Sequence, residues 1–178
     1  MWTRRFCFAL ALGALSLLTP PGPAKADDAR QSLSASSMIE SVKQAGVLKV
    51  GLSTFVPWAM PSKSGDMIGF EVDVAKKLAD DMKVKLQLVP ISWDGIIPAL
   101  IAKKFDVIIG GMTITPERNL TINFTAPYEH AQSFILVNKK VADKFKSPED
   151  FNNPDVSIAN VRGATTAIFA KATFPKAK

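Results

Sequence analysis

The sequence predicts an α/β protein built on a parallel sheet wrapped by helices, and three observations carry that expectation. From Val47 onward, short apolar runs alternate with amphipathic stretches. Between the first two runs, Phe70, Val74, Leu78 and Met82 recur at the four-residue spacing of one helix stripe. The third run stops at a glycine pair, Gly110-Gly111. Strand, helix, strand, helix, strand in that order places parallel strands side by side, joined by right-handed crossovers.

Taken in order, residues 48–52 read as a buried strand and residues 70–82 as a helix with one apolar stripe. Residues 84–89 alternate apolar side chains with Lys85 and Gln87, a strand with one wet face. Residues 93–102 are helical provided that Pro98 falls in the first turn, where its missing N–H costs nothing. Residues 105–109 form an apolar, β-branched strand. After Tyr128 a second unit begins, with strands expected at 133–137 and 156–159 and a capped helix start at Ser147-Pro148-Glu149-Asp150. A helix follows over about 166–172. The resulting division is a first lobe at 46–128 and the start of a second at 129–178. Two or three strands and one helix cannot close the second sheet, so this lobe is expected to be incomplete. Residues 27–178 by themselves are then expected to be poorly soluble or partly molten, and weak in binding.

The amino terminus has another character. Arg4 and Arg5 precede an uncharged run over residues 6–18, too short for the roughly 20 residues that a membrane-spanning helix needs. Pro20, Pro21 and Pro23 then lead to Ala24-Lys25-Ala26, a small-x-small cleavage site. Residues 1–26 thus read as a secretory signal peptide, and residues 27–45 as a polar leader and short helix. The mature protein is expected in the periplasm, with no stable membrane insertion. Of the 178 residues with formal charge +6, such a cut leaves 152, with 19 basic and 16 acidic side chains. That near balance, without a clustered basic face, excludes a nucleic-acid partner. Cys7, the only cysteine, leaves with the signal, so no disulfide is expected.

Ligands of an open α/β sheet bind at the carboxyl ends of its strands. Three loops stand there. The first, residues 53–58, carries Phe55 and Trp58, either a stacking wall or simple packing, with Phe55 nearer the strand end. In the second, Gly110-Gly111 lets the backbone approach a ligand, and Thr115-Pro116 reads as a helix cap followed by the first helical residue. Arg118 then falls in a first turn, where the helix dipole disfavours a cation. Its planar fork matches a carboxylate bidentately, which a lysine does not. The third loop, Gly163-Ala164-Thr165-Thr166, offers helix-start amides and two hydroxyls as an anion site facing the second loop. His130 is the only histidine, and no acidic cluster has metal-ligand spacing. The pattern points to a site that holds a ligand without transforming it, with no metal, no cofactor and no catalytic residue.

Residues 47–51, 68–75, 93–100, 111–118 and 124–128 stand in an order that resembles the bacterial extracellular solute-binding proteins of family 3, the polar amino-acid receptors of ABC importers. The resemblance covers about residues 40–172 and is most specific from Gly111 to Tyr128. It implies a periplasmic-binding-protein-like fold of two α/β lobes closing on a free L-amino acid, which is delivered to an inner-membrane ABC permease. It also implies that Arg118 and the backbone near Thr113 hold the α-carboxylate, joined by Thr165 and Thr166 from the second lobe. Gly111 would offer its carbonyl to the α-ammonium, while Phe55 and Trp93 flank the side chain. Some members for basic or amide side chains carry an aspartate just before the first-loop aromatic. Leu52-Ser53-Thr54 stands in that place here, which argues against a cationic ligand side chain. Family members also continue well beyond residue 178, and the chain reads as a fragment or a truncated product. A secreted cyclohexadienyl-dehydratase-like enzyme on the same fold, or a receptor sensor domain, is the alternative function.

Overall fold

Among the described residues, the buried side chains that two core clusters hold before residue 83 gather on one strand. That strand, β1 (Val47–Leu52), lies between β4 (Lys85–Pro90) and β5 (Val107–Ile108) and is parallel to both. Val47 stands opposite Lys85 and Leu52 opposite Pro90, while Val50 and Gly51 pair with Val107 and Ile108. The computed structural model describes residues 37–178, so the expected signal peptide and the first part of the leader lie outside the described residues. Among the described residues no helix is long and apolar enough to cross a membrane.

Successive residues of β1 point to opposite faces of the sheet. Leu48 and Val50 meet Val42 of α1 (Met38–Ala45), and Ala75 and Ala79 of α2 (Phe70–Met82). Leu52 packs with Ala59 and Val72. On the other face Gly51 lies under the ring of Phe105, and a Cβ at residue 51 would come within 2.4 Å of that ring. Glycine there is what allows Phe105 to fill the space between β1 and α3 (Ile96–Ile101), beside Ile96 and Ala99.

Only part of the helix stripe that the spacing singles out turns inward, with Val74 and Met82 packed against the core. Glu71, Val72, Ala75 and Ala79 carry the burial of α2, whereas Phe70 and Leu78 stay 39% and 38% exposed. Small side chains at 75 and 79 let the helix axis come close to the sheet, which turns the larger ones to its flank. The helix expected over 93–102 is a 3-10 turn, Trp93–Gly95, followed by α3, and Pro98 falls in the first turn of α3. Between β1 and α2 the loop folds into a short antiparallel hairpin of β2 (Met60–Pro61) and β3 (Met67–Ile68), which its sequence did not announce.

The strand expected at 105–109 shortens to Val107–Ile108, because Phe105 turns into the core and Asp106 instead ties to Lys49 through both its backbone N–H and its carboxylate. Residues 133–137 form no strand. No neighbouring edge among the described residues supplies hydrogen bonds, and Phe134 and Leu136 are 79% and 96% exposed. Residues 156–159 likewise form none: the Val156 N–H turns back to the Asn153 carbonyl, while the Val156 carbonyl and the Ile158 N–H bond the backbone of Lys178 alone. The expected helix start at Ser147 is a 3-10 turn, Pro148–Phe151, after an earlier one at Ala142–Lys144. The Asp150 carboxylate accepts from the Lys146 and Ser147 amides and is thereby held below the usual carboxylate range. Phe151 stacks on Phe145 and meets Phe174 edge-on, a small aromatic cluster at this end of the chain. Together these elements give a periplasmic-binding-protein-like α/β fold with a partial second lobe.

Candidate functional site

The carboxyl end of β5 runs into Gly110-Gly111 and then α4 (Pro116–Asn119). Thr115 is the cap of that helix, extended at φ −132° and ψ 154°. Its hydroxyl accepts the Arg118 N–H at 3.3 Å, and Pro116 follows as the first helical residue. This local geometry points the Arg118 side chain back across the loop. Its Nη1 donates to the Thr113 carbonyl at 2.7 Å and its Nη2 to the Gly163 carbonyl at 2.9 Å. A guanidinium has five N–H donors, so three remain after those two bonds. Burial lowers the pKa of Arg118 from its ordinary value, and neighbouring Glu117 opposes that shift.

Trp93, the first residue of the 3-10 turn that follows β4, lies beside this cluster. The Arg118 guanidinium carbon lies 6.0 Å from its ring centroid, at the outer reach of cation–π attraction. A Cβ at Gly110 would sit 3.7 Å from the same indole, and one at Gly163 3.8 Å from it. Gly110 and the third-loop Gly163 thus both lie beside the indole, whereas Gly111 faces Glu71. Thr165, the first residue of α5 (Thr165–Thr173), shares a hydrogen bond with Thr113 through their hydroxyls at 3.2 Å. Residues 113, 118, 163 and 165 therefore meet around one point, although 45 or more residues of sequence separate the two sides.

The other expected site residues are placed differently. Phe55 is 58% exposed, and its backbone bridges to Ala59 in a tight turn. Thr166 is exposed next to Thr165. Gly111 stands at φ +61°, a left-handed conformation that glycine adopts without strain. Its N–H donates to the Tyr128 hydroxyl at 3.4 Å, and that hydroxyl donates to Glu71 Oε2 at 2.5 Å. Sequence reasoning missed Glu71 altogether. An acid in the first turn of a helix is ordinary dipole chemistry, and nothing in its spacing reveals that it is only 5% exposed.

Burial raises the Glu71 pKa from its usual value of 4.5, against a smaller lowering by the Tyr128 hydrogen bond; burial first, and then Glu71, push the Tyr128 phenol upward. The folded state therefore holds the Glu71 proton more tightly than the unfolded chain does. That contribution to stability is complete below about pH 4.5 and is lost as pH rises through the folded value. Relative to Glu71→Gln, the wild type is expected to lose thermal stability across that rise. Melting temperatures of both proteins from pH 4 upward check it, and parallel curves would show that Glu71 does not titrate abnormally.

Among the described residues, no group of three or more His, Cys, Asp or Glu side chains could hold a metal ion. Residues 48–174 match the bacterial extracellular solute-binding proteins, family 3. The chain is 44% identical over 100 residues to the octopine-binding periplasmic protein of Rhizobium meliloti, covering 55% of this chain and 34% of that protein. It also matches the crystal structure of an ancestral amino acid-binding protein, a precursor of cyclohexadienyl dehydratase. There the TM-score is 0.77 and the identity 46%, over 80% of this chain and 63% of the other. A binding component of an ABC transporter from Wolinella succinogenes, complexed with lysine, gives a TM-score of 0.66 at 44% identity, over 75% and 57% of the two chains. The chain thus spans less than two thirds of the length of each of these proteins.

Proposed function

We propose, because this chain belongs to the bacterial extracellular solute-binding proteins of family 3, that it captures a free amino acid in the periplasm and passes it to an inner-membrane ABC permease. The observation that carries this reading is Arg118, whose guanidinium is fixed between the Thr113 and Gly163 carbonyls with three donors left for a carboxylate. The α-carboxylate would take two of them as a fork. The Thr165 amide and hydroxyl, with Thr166, would close on it from the helix start. The Gly111 carbonyl would face the ammonium, Trp93 would underlie the side chain, and Phe55 would cover it on closure. Domain boundaries at 26, 45 and 128 accompany the same reading.

Two observations bear on the ligand. The octopine-binding relative and the lysine-bound structure point to basic or derivatised amino acids, whereas Leu52-Ser53-Thr54 lacks an acid for a cationic side chain. Calorimetry of the full chain against neutral, acidic and basic amino acids and octopine separates these. On the loop composition, a neutral amino acid is expected to bind more tightly than lysine or arginine. The ancestral precursor of cyclohexadienyl dehydratase makes an enzyme assay on a cyclohexadienyl substrate the natural second arm. Turnover without amino-acid binding would contradict the transport reading.

A further inference from the structure

The described molecule contains one acidic side chain that is almost fully buried, Glu71, and it lies directly beneath the second loop. Three contacts converge there. Glu71 Oε2 accepts the Tyr128 hydroxyl proton at 2.5 Å, and the same hydroxyl accepts the Gly111 N–H at 3.4 Å. Glu71 Oε1 lies 3.2 Å from the point where a Cβ on Gly111 would stand, so the carboxyl also packs against that α-carbon. The base of this arrangement is rigid. The Glu71 N–H donates to the Trp58 carbonyl at 3.0 Å, and Gly69, at φ +125°, allows the Trp58 carbonyl so close that a Cβ would meet it at 2.3 Å. Tyr128 is held from the side by Phe70, with ring centroids 6.3 Å apart, and Phe70 in turn meets Trp58 edge to face at 5.6 Å.

We infer that Glu71 and Tyr128 are positioning residues that fix the Gly111 peptide, and through it the binding loop, from the start of α2. A hydroxyl has one proton. Committing it to the Glu71 carboxyl leaves only lone pairs toward Gly111, so the carboxyl sets the direction in which the hydroxyl receives the amide. The left-handed turn at Gly111 is flexible in principle, since glycine has no Cβ to restrict it, and an amide anchor is what selects one conformation. Gly111 opens the segment that continues to Thr113, whose carbonyl holds Arg118. Order at residue 111 is therefore passed to the guanidinium without either positioning residue touching a ligand.

This inference rests on the amino-acid-binding reading for its functional consequence, but not for its structural one. In the full chain, Tyr128→Phe is expected to weaken amino-acid binding about fivefold to tenfold, the size of one hydrogen bond to a partly buried partner. Glu71→Leu is expected to cost a similar factor in the wild type and little further in the Tyr128→Phe background, because both act through the same amide. Glu71→Gln keeps an acceptor for the hydroxyl and is expected to retain most of the affinity, and it serves also should Glu71→Leu fail to fold. The Gly111 amide proton, followed by NMR without any ligand, is expected to move upfield in Tyr128→Phe while other loop amides in the β1–β4 region hold still. Equal losses from the Glu71 substitution in both backgrounds would overturn the inference, as would an unmoved Gly111 amide. If the wild type binds no amino acid, the functional reading falls, and the amide resonance alone decides whether Glu71 and Tyr128 position the loop.

Discussion

Arg118→Ala is expected to weaken amino-acid binding by on the order of a hundredfold or more. Each charge-assisted hydrogen bond is worth about 1.5–3 kcal/mol, and a forked carboxylate contact makes two. The fold should survive, because α4 keeps its Thr115 cap and Pro116 start, and the arginine contributes only side-chain bonds to two carbonyls. Arg118→Lys should recover part of the affinity, since the charge remains while the planar fork is lost. Calorimetry of the three proteins, with circular dichroism as the control for folding, checks the series. Unchanged affinity in the alanine variant would make Arg118 a strut between the Thr113 and Gly163 carbonyls and nothing more.

The second large effect is expected in the core. Phe105 is 2% exposed, lies over Gly51 and fills the layer with Ile96 and Ala99. Truncating a buried phenylalanine costs about 3–5 kcal/mol through lost transfer energy and the cavity left behind. For a chain of this size that corresponds to a fall in melting temperature of roughly 10 °C. The damage should reach the site as well, because Ile108 and Met112 pack on the same cluster and flank the Gly110-Gly111 turn. Phe105→Ala combined with Gly51→Ala tests the geometry: the added methyl, which clashes in the wild type, enters the vacated space. The pair should therefore be more stable than the sum of the two single losses implies. Simple additivity would mean that the ring over Gly51 does not decide the packing.

Legibility in the sequence followed the range of the interaction. Local chemistry was readable: the Thr115-Pro116 start of α4, the position of Arg118 after it, and the parallel order set by short apolar runs around residues 48–52, 84–89 and 105–109 all stand in the structure. Contacts that depend on tertiary approach were not. The spacing of Phe70, Val74 and Leu78 suggests the buried stripe, yet Ala75 and Ala79 sit nearer the sheet because small residues permit close packing, and periodicity does not rank neighbouring stripes by size. The apolar residues 133–137 have strand composition, but a strand exists only where another edge meets it, and composition carries no information about that edge. Glu71 shows the same limit at the site. Its carboxyl meets Tyr128, 57 residues away, and packs against Gly111, and no local signal marks an acid that distant residues will cover.

Recognition of the α-carboxylate of a free amino acid is the role proposed for the Arg118 cluster. Its most direct test is calorimetric titration of the full chain with the best-binding amino acid and, separately, with the same compound carrying an α-carboxamide. The amide preserves shape and ammonium but removes the anionic fork partner. Binding at least a hundredfold weaker is expected for the amide in the wild type, and little difference between the two compounds in Arg118→Ala. Equal affinity of acid and amide for the wild type would contradict that role.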